Sequence, residues 1–332
     1  MRDPTPLDRS GVWIVIPCYR VRAQILAVLA QIPAWVEGVV CVDDACPEAT
    51  ADLVAAQAAD PRVHVVRLGE NQGVGGATLA GYERALELGA RIIVKMDGDG
   101  QMDTAYLSRL IAPILFGEAD YAKGNRFTTQ SHLAQMPPMR TFGNAMLSMA
   151  AKISTGYWTV FDPTNGFTAI EASVARLILP RRIERRFFFE TDLLYHLGTV
   201  RAVVRDVPIP ALYGDEKSNL KIGRIVLPFA AKHLRNTVRR LMGQYVVRDL
   251  TVASLEALVG LVLVLFGAAY GILWIVGSHE GPAPAGVVMA AALPIIVGVQ
   301  LLLAAINFDV QNSPSEPIHP RQLALDDLDA QT

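Results

Sequence analysis

The sequence predicts an α/β domain, a parallel sheet with helices on both faces, followed by two membrane-crossing helices. Three observations carry this. Short apolar runs rich in β-branched residues alternate with helical patterns through the first hundred residues, as in a sheet covered on both sides. Three of the four runs end at a proline or an aspartate, which collects polar groups at strand ends. Near the C-terminus, Ala257–Gly277 and Ala285–Ile306 run 21 and 22 residues without a charge. Either is long enough to cross a hydrocarbon core of roughly 30 Å. Of 332 residues, 52% are hydrophobic, which excludes a mainly disordered chain. Cys18, Cys41 and Cys46 have neither CxxC nor paired metal-ligand spacing and fit a reducing compartment. The charged, proline-containing start does not read as a signal peptide.

Taken in order, Val12–Ile16 is the first strand, ended by Pro17, and a helix is expected over 21–31. Val36–Val42 is the second, ended by Asp43, followed by a helix over 48–59. Val63–Arg67 is the third, followed by a helix over 76–89 that stops at Gly89, a natural C-terminal signal. Arg91–Met96 is the fourth, ended by Asp97. Right-handed crossovers should connect them. Between Lys217 and Arg248 there are eight Lys/Arg and no Asp or Glu. With apolar spans directly after it, this band reads as a cytoplasmic, membrane-facing segment rather than a nucleic-acid footprint. Phe229, Leu234, Val238, Leu241 and Tyr245 recur at helical spacing with Lys232, Arg235, Arg239 and Arg240 among them. That predicts an amphipathic helix on the membrane surface, its basic groups meeting lipid phosphates, with a basic helix packed on the soluble domain as the alternative. Pro228 should break it from an earlier helix over 220–227. The loop Ser278–Pro284 has Glu280 and no Lys or Arg, which places both ends of the chain in the cytoplasm. The expected division is 1–215 for the cytoplasmic α/β domain, 216–250 for juxtamembrane helices, 251–307 for the hairpin and 308–332 for a loosely ordered tail.

Pro17-Cys18-Tyr19, Asp43-Asp44 and Asp97-Gly98-Asp99 each follow the carboxyl end of a predicted strand. In open α/β sheets that edge forms the ligand crevice. In KMDGDGQMD, Asp97, Asp99, Gln101 and Asp103 lie within seven residues. Alternating carboxylates offer hard oxygens suited to Mg²⁺ or Mn²⁺. An EF-hand is excluded because Ser108 stands at its twelfth position. Asn71-Gln72-Gly73-Val74-Gly75-Gly76 opens a helix whose N–H groups could receive an anion, or form a tight turn. It is neither a Walker A loop nor GxGxxG.

The set VIPCYR (15–20), VDDACPEAT (42–50), NQGVGGA (71–77) and MDGDGQMD (96–103) resembles family 2 glycosyltransferases of the GT-A fold. The two C-terminal spans after a basic region are similar to its polyprenyl-phosphate branch. The resemblance implies a nucleotide-diphosphate sugar donor bound by a Rossmann-like sheet. Pro17 and Tyr19 would line base and ribose and Asp44 would hold the nucleoside, with Asp43, Asp97 and Gly98 in the same donor site. Asp97, Asp99 and Gln101 match the family's metal-binding segment, and Arg126 in KGNRF matches an arginine near the diphosphate. Two departures stand out. Arg20-Val21 replaces the family's Asn-Glu, and the later Arg-x-x-Gly-x-Ser-Lys is here Tyr213–Asn219, where Lys217 and Ser218 would take over part of the role.

On the acceptor side, Glu190 and Asp192 in FFFETD match the place where hydroxyl-acceptor relatives carry a base, although acidic residues also favour a helix N-terminus. Asp162 and Asn165 in DPTNGF match an acceptor-side loop. Arg185 and Arg186, in a run with Arg181 and Arg182, are candidates for an acceptor phosphate. His196 has no partner at ligand spacing and reads as structural. The leading expectation is an inverting, metal-assisted transferase moving a sugar to polyprenyl phosphate at the cytoplasmic face of the inner membrane. A family 2 enzyme extending a saccharide at a hydroxyl with Asp192 as base, and a non-catalytic nucleotide-sugar-binding protein, are the alternatives. No nucleic-acid partner is expected, and a homo-oligomer is compatible with two spans.

Overall fold

In the computed structural model, which describes residues 8–58, 60–127, 138–210, 222–277 and 281–320, the first apolar run becomes the centre of a sheet. The chain order is β1 (Val12–Cys18), α1 (Ile25–Ala30), β2 (Gly38–Asp43), α2 (Thr50–Gln57), β3 (Val63–Arg67), α3 (Gly73–Glu87) and β4 (Ile92–Lys95). It continues with α4 (Leu107–Leu115), β5 (Tyr121–Asn125), α5 (Pro138–Thr155), β6 (Thr168–Glu171), α6 (Ala172–Ile178), α7 (Phe189–Thr199) and β7 (Val204–Pro208). Then follow α8 (Ile222–Met242), α9 (Val252–Val276) and α10 (Ala285–Gln311). β1 is apolar at both parities because both faces are covered. Val12, Ile14 and Ile16 pack with Ile25 of α1, Val54 of α2 and Leu110 of α4. Trp13 and Val15 pack with Tyr82 of α3, Val174 of α6 and Leu193 of α7. Each fully buried aliphatic contributes about 1.5–3 kcal/mol, so both layers hold the central strand.

The seven strands run in the order β3-β2-β1-β4-β6-β5-β7. β1 pairs in parallel with β2 and β4, β2 with β3, and β5 with β7. β6 runs antiparallel to both β4 and β5, which corrects the wholly parallel expectation. The reason lies in its approach. Thr168, its first residue, pairs with Lys95, the last of β4. The chain therefore enters at the carboxyl edge and must run backwards. The switch between β1 and β4 opens the crevice that such sheets use.

Two compact units result: Met1–Asn236 with Pro314–Thr332, and Thr237–Ser313. The expected 215/216 boundary falls outside the described residues. In the first unit, the start of α8 departs from the expected amphipathic arrangement. Lys232 pairs with Glu184 at 2.8 Å and Arg235 lies 3.5 Å from it, while Leu227 and Leu234 are 78% and 65% exposed. Lys232 and Arg235 thus reach the protein, although Arg235 stays 40% exposed and shares the outer surface with these leucines. Pro228 does not break the helix. It removes one backbone donor, while Phe229 and His233 pack edge-on against Phe188 just beyond it.

The tail expected to be loose is docked where described. Asp120, fully buried, accepts from the N–H groups of Ile318 and His319 at 2.8 and 3.0 Å and meets His319 Nδ1 at 2.9 Å. Burial alone would raise the Asp120 pKa; the His319 and backbone bonds hold it below the ordinary value. Residues 321–332 lie outside the described ones. Replacing His319 by Ala removes one bond to a charged group and is expected to cost about 1.5–3 kcal/mol. Faster amide hydrogen exchange at Ile318 and residue 319 is the check.

The second unit holds α9 and α10, 25 and 27 residues long, whose most apolar 18-residue stretches have mean hydropathy 2.4 and 2.5; each is long and apolar enough to cross a membrane. Glycine lets them approach: a Cβ on Gly260 would sit 2.8 Å from the Gly298 carbonyl. In the same unit Arg240 pairs with Asp309 at 2.6 Å, and the Tyr245 hydroxyl donates to the same carboxylate at 2.5 Å.

Candidate active site

The loops after β1 and β2 meet through two bonds. Asp44 N donates to the Cys18 carbonyl at 3.1 Å, and Arg20 N donates to Cys46 Sγ at 3.1 Å. Arg20 adopts a left-handed conformation, φ 59°, and its guanidinium lies 5.5 Å from the centre of the Tyr19 ring. Tyr19 is 42% exposed at the rim, and Pro17 is half-buried beside it.

The paired aspartates are largely occupied with helix starts. Asp43 accepts from Cys46 N at 2.7 Å and from Ala51 N at 2.8 Å. Asp44 accepts from Gln72 N at 2.6 Å and Gly73 N at 2.8 Å. Both are natural places for a carboxylate. The N–H groups of Gly75 and Gly76 donate to the Arg185 carbonyl at 2.8 and 3.1 Å. Three of the first four donors of α3 thus have protein acceptors. The anion-receiving reading of the glycine-rich segment gives way to the tight-turn reading.

The turn after β4 carries the candidate cation ligands. Asp99 Oδ1 accepts from Gln101 N at 3.0 Å, and Gly100, φ 79°, supplies the left-handed residue between them. Asp103 instead caps the following 3₁₀ turn through Ala105 N. Gly98 is buried against β1: a Cβ there would sit 3.1 Å from Val21 and 3.3 Å from Ile16. Asp97 Oδ1 pairs with Lys95 Nζ at 2.9 Å. Lys95 also lies 3.3 Å from Glu190 Oε1, which joins α7 to the same turn. Burial opposes the charge on Lys95, but Asp97 and Glu190 more than reverse this and hold its pKa above the ordinary value.

Arg126 follows β5 and is gripped through both arms, Nε to Asp162 Oδ2 at 2.7 Å and Nη2 to Oδ1 at 3.1 Å. Asp162 and Asn165, matched to an acceptor loop, are 0% and 5% exposed. Asp162 orients Arg126; the Asn165 side chain accepts from Phe167 N, and its carbonyl accepts from buried Lys123. Asp206 fixes the start of the same loop by accepting from Phe161 N at 2.7 Å. Burial pushes Lys123 down to about 8 and Asp206 up to about 6. Arg185 and Arg186 are exposed, and Arg185 Nη1 donates to Gln72 Oε1 at 2.7 Å.

Asp192 is buried with both oxygens in use. Glu184 N and Asn236 Nδ2 donate to it at 2.9 and 2.8 Å, and His196 Nε2 and Arg235 Nη2 lie at 3.6 and 3.7 Å. Burial works against its charge, yet the neighbouring His196 and the bonds from Asn236 and Glu184 bring its pKa below the ordinary value. Lys217 and Ser218 lie outside the described residues. Lys95, Lys123 and Asp206 escaped the sequence reading. The available signal was a lysine ending the apolar run Ile92-Ile93-Val94, where a lone charge needs buried partners.

Among the described residues, no group of three His, Cys, Asp or Glu stands close enough to hold a metal. A Mg²⁺ or Mn²⁺ ion bound with a nucleotide needs only one or two carboxylates, the phosphates supplying the rest. The site fits that requirement. Asp97 and Asp99 occupy one turn, and Gly166 passes so close to it that a Cβ there would fall 2.7 Å from Asp97 Oδ2, so only a glycine leaves that oxygen room for a ligand.

Residues 13–179 match the Glycosyl transferase family 2 model. A UDP-N-acetylglucosamine–dolichyl-phosphate N-acetylglucosaminyltransferase of Methanococcus voltae is 29% identical over 154 residues, 46% of this chain and 61% of that one. The chain thus spans under two thirds of that relative. An undecaprenyl-phosphate mannosyltransferase of Micrococcus luteus is 32% identical over 173 residues, 52% of this chain and 70% of that one. Glucosyl-3-phosphoglycerate synthase of Mycobacterium tuberculosis, crystallised with UDP, superposes with a TM-score of 0.50 at 16% identity, covering 69% of this chain and 80% of that one. That likeness concerns the fold.

Proposed function

Since the chain belongs to glycosyl transferase family 2, we propose that it moves a sugar from a nucleotide diphosphate to a polyprenyl phosphate at the cytoplasmic face of the inner membrane. The observation that carries this reading is the Asp97–Asp99 turn at the carboxyl edge of the sheet, in a chain that also carries two membrane-length helices. The names of the Methanococcus and Micrococcus relatives support the lipid-phosphate acceptor.

In the proposed reaction an acceptor phosphate oxygen attacks the anomeric carbon, the bond from that carbon to the nucleotide's diphosphate breaks, and the centre inverts. A divalent ion held by Asp97 and Asp99, with Gln101 beside them, would supply charge stabilisation for the departing diphosphate. Arg126, preoriented by Asp162, would add a fixed positive charge near the same group. Pro17, Tyr19, Asp43, Asp44 and Gly98 would shape the nucleotide side of the crevice. Arg185 and Arg186 are exposed and available to an anionic acceptor. A lipid phosphate has a second pKa of about 6 and is already ionised at neutral pH, so this chemistry needs no strong base. The bonds committed at Asp192 support that choice over a hydroxyl acceptor.

The test combines purified full-length protein with Mg²⁺ or Mn²⁺, labelled UDP- and GDP-sugars and undecaprenyl phosphate. A lipid product labile to mild acid is expected. Elongation of a lipid-linked saccharide without such a product would favour the hydroxyl alternative. Donor binding without turnover would favour a non-catalytic role.

A further inference from the structure

We propose that Lys95 is a positioning residue that ties the donor-side turn to α7 and sets the orientation in which Asp97 presents Oδ2 to the crevice. Lys95 is the last residue of β4, and its side chain is only 2% exposed. Its ammonium stands between Asp97 Oδ1 at 2.9 Å and Glu190 Oε1 at 3.3 Å, carboxylates 93 residues apart in the chain. A buried ammonium is costly unless paired, so this arrangement holds all three groups together. Gly166 forms the roof: a Cβ there would fall 2.5 Å from Lys95 Nζ and 2.7 Å from Asp97 Oδ2. One oxygen of Asp97 is therefore fixed inward by the lysine, and the other lies under the only side-chain-free residue of the Asn165-Gly166-Phe167 segment.

The proposal rests on reading the Asp97–Asp99 turn as the donor-phosphate site. It adds that the cation site is shaped from below by a group that itself binds no cation. Groups that orient metal ligands typically change metal affinity by about 10–100-fold when replaced.

The sign of the effect separates positioning from simple charge. If Lys95 mattered only as a nearby positive charge, its removal would tighten Mn²⁺ binding; if it positions Asp97, removal weakens it. Mn²⁺ binding to the full-length protein, with UDP or GDP present, can be followed by the electron paramagnetic resonance signal of free Mn²⁺. Lys95→Met is expected to raise the Mn²⁺ dissociation constant about 10–100-fold. Gly166→Ala leaves every charge in place and intrudes on the same pair. It is expected to weaken Mn²⁺ binding in the same direction, and it serves if Lys95→Met does not fold. Lys95→Met binding as tightly as the wild type or more tightly overturns the proposal, as does unchanged binding in folded Gly166→Ala. A wild-type protein that binds no Mn²⁺ with either nucleotide is a different failure. It overturns the assignment of the Asp97–Asp99 turn as the cation site, and this proposal with it, while leaving the family membership untouched.

Discussion

An Asp99→Ala protein is expected to lose metal-dependent transfer by roughly 100–1,000-fold, the scale seen when one preorganised stabiliser of developing charge is removed. Its fold should survive. Asp99 is only half-buried, in a turn shaped by Gly100, and does not belong to either apolar core. Asp97→Ala should behave differently, because it also takes a partner from the buried Lys95. Stability should then fall with activity. Initial rates with a UDP- or GDP-sugar at varied Mn²⁺, with calorimetric melting of the same preparations, check both expectations. Full turnover in Asp99→Ala would remove the turn from the chemistry. Equal melting of the two variants would contradict the part given to Lys95.

Much of that turn was legible in the sequence, for a physical reason. Apolar strands ending in polar residues announce the crevice edge, and Asp97, Asp99 and Gln101 alternate with Gly98 and Gly100 on one turn. The other half of the sheet was not legible. Tyr121–Asn125 contains Lys123, Gly124 and Asn125, and Thr168–Glu171 is four residues long. Neither has enough apolar periodicity to mark a strand; both are held by neighbours distant in the chain. The N-terminal half of α8 misled through its charges. A helix with apolar and basic residues in alternating sectors reads as membrane-facing by its basic side. Glu184, 48 residues before Lys232, draws Lys232 to the protein. Asp43 and Asp44 show the same limit, since which helix start a carboxylate serves depends on where α2 and α3 land. Arg126 and Asp162 were each marked by their motifs, but not their pairing across 36 residues.

Asp192 carries the largest expected effect on stability. Its carboxylate receives Glu184 N and Asn236 Nδ2, with His196 and Arg235 close by, so it fastens the 184–186 segment, α7 and α8 to one point. Asp192→Ala would leave Asn236, itself 0% exposed, and the Glu184 N–H without their acceptor. Removing one member of such a buried set costs about 3–5 kcal/mol. For a unit of this size each kcal/mol lowers the melting temperature by about 2–4 °C, so a drop on the order of 10 °C is expected. Asp192→Asn keeps the shape but turns one acceptor into a donor facing donors, and should cost about 1–3 kcal/mol. The pH dependence has a definite sign. Because the folded pKa lies below the unfolded value, near 3.9, the group's stabilisation is complete above the unfolded pKa and fades as pH falls through the folded one. The wild type should therefore lose stability below about pH 4 more steeply than Asp192→Asn. Calorimetric melts of both proteins from neutral pH downwards would reveal this. A catalytic base predicts another pattern: an Asn substitution that leaves melting unchanged while turnover falls about 100–10,000-fold. Loss of stability together with retained transfer to a lipid phosphate is the result expected from the bonds Asp192 already makes.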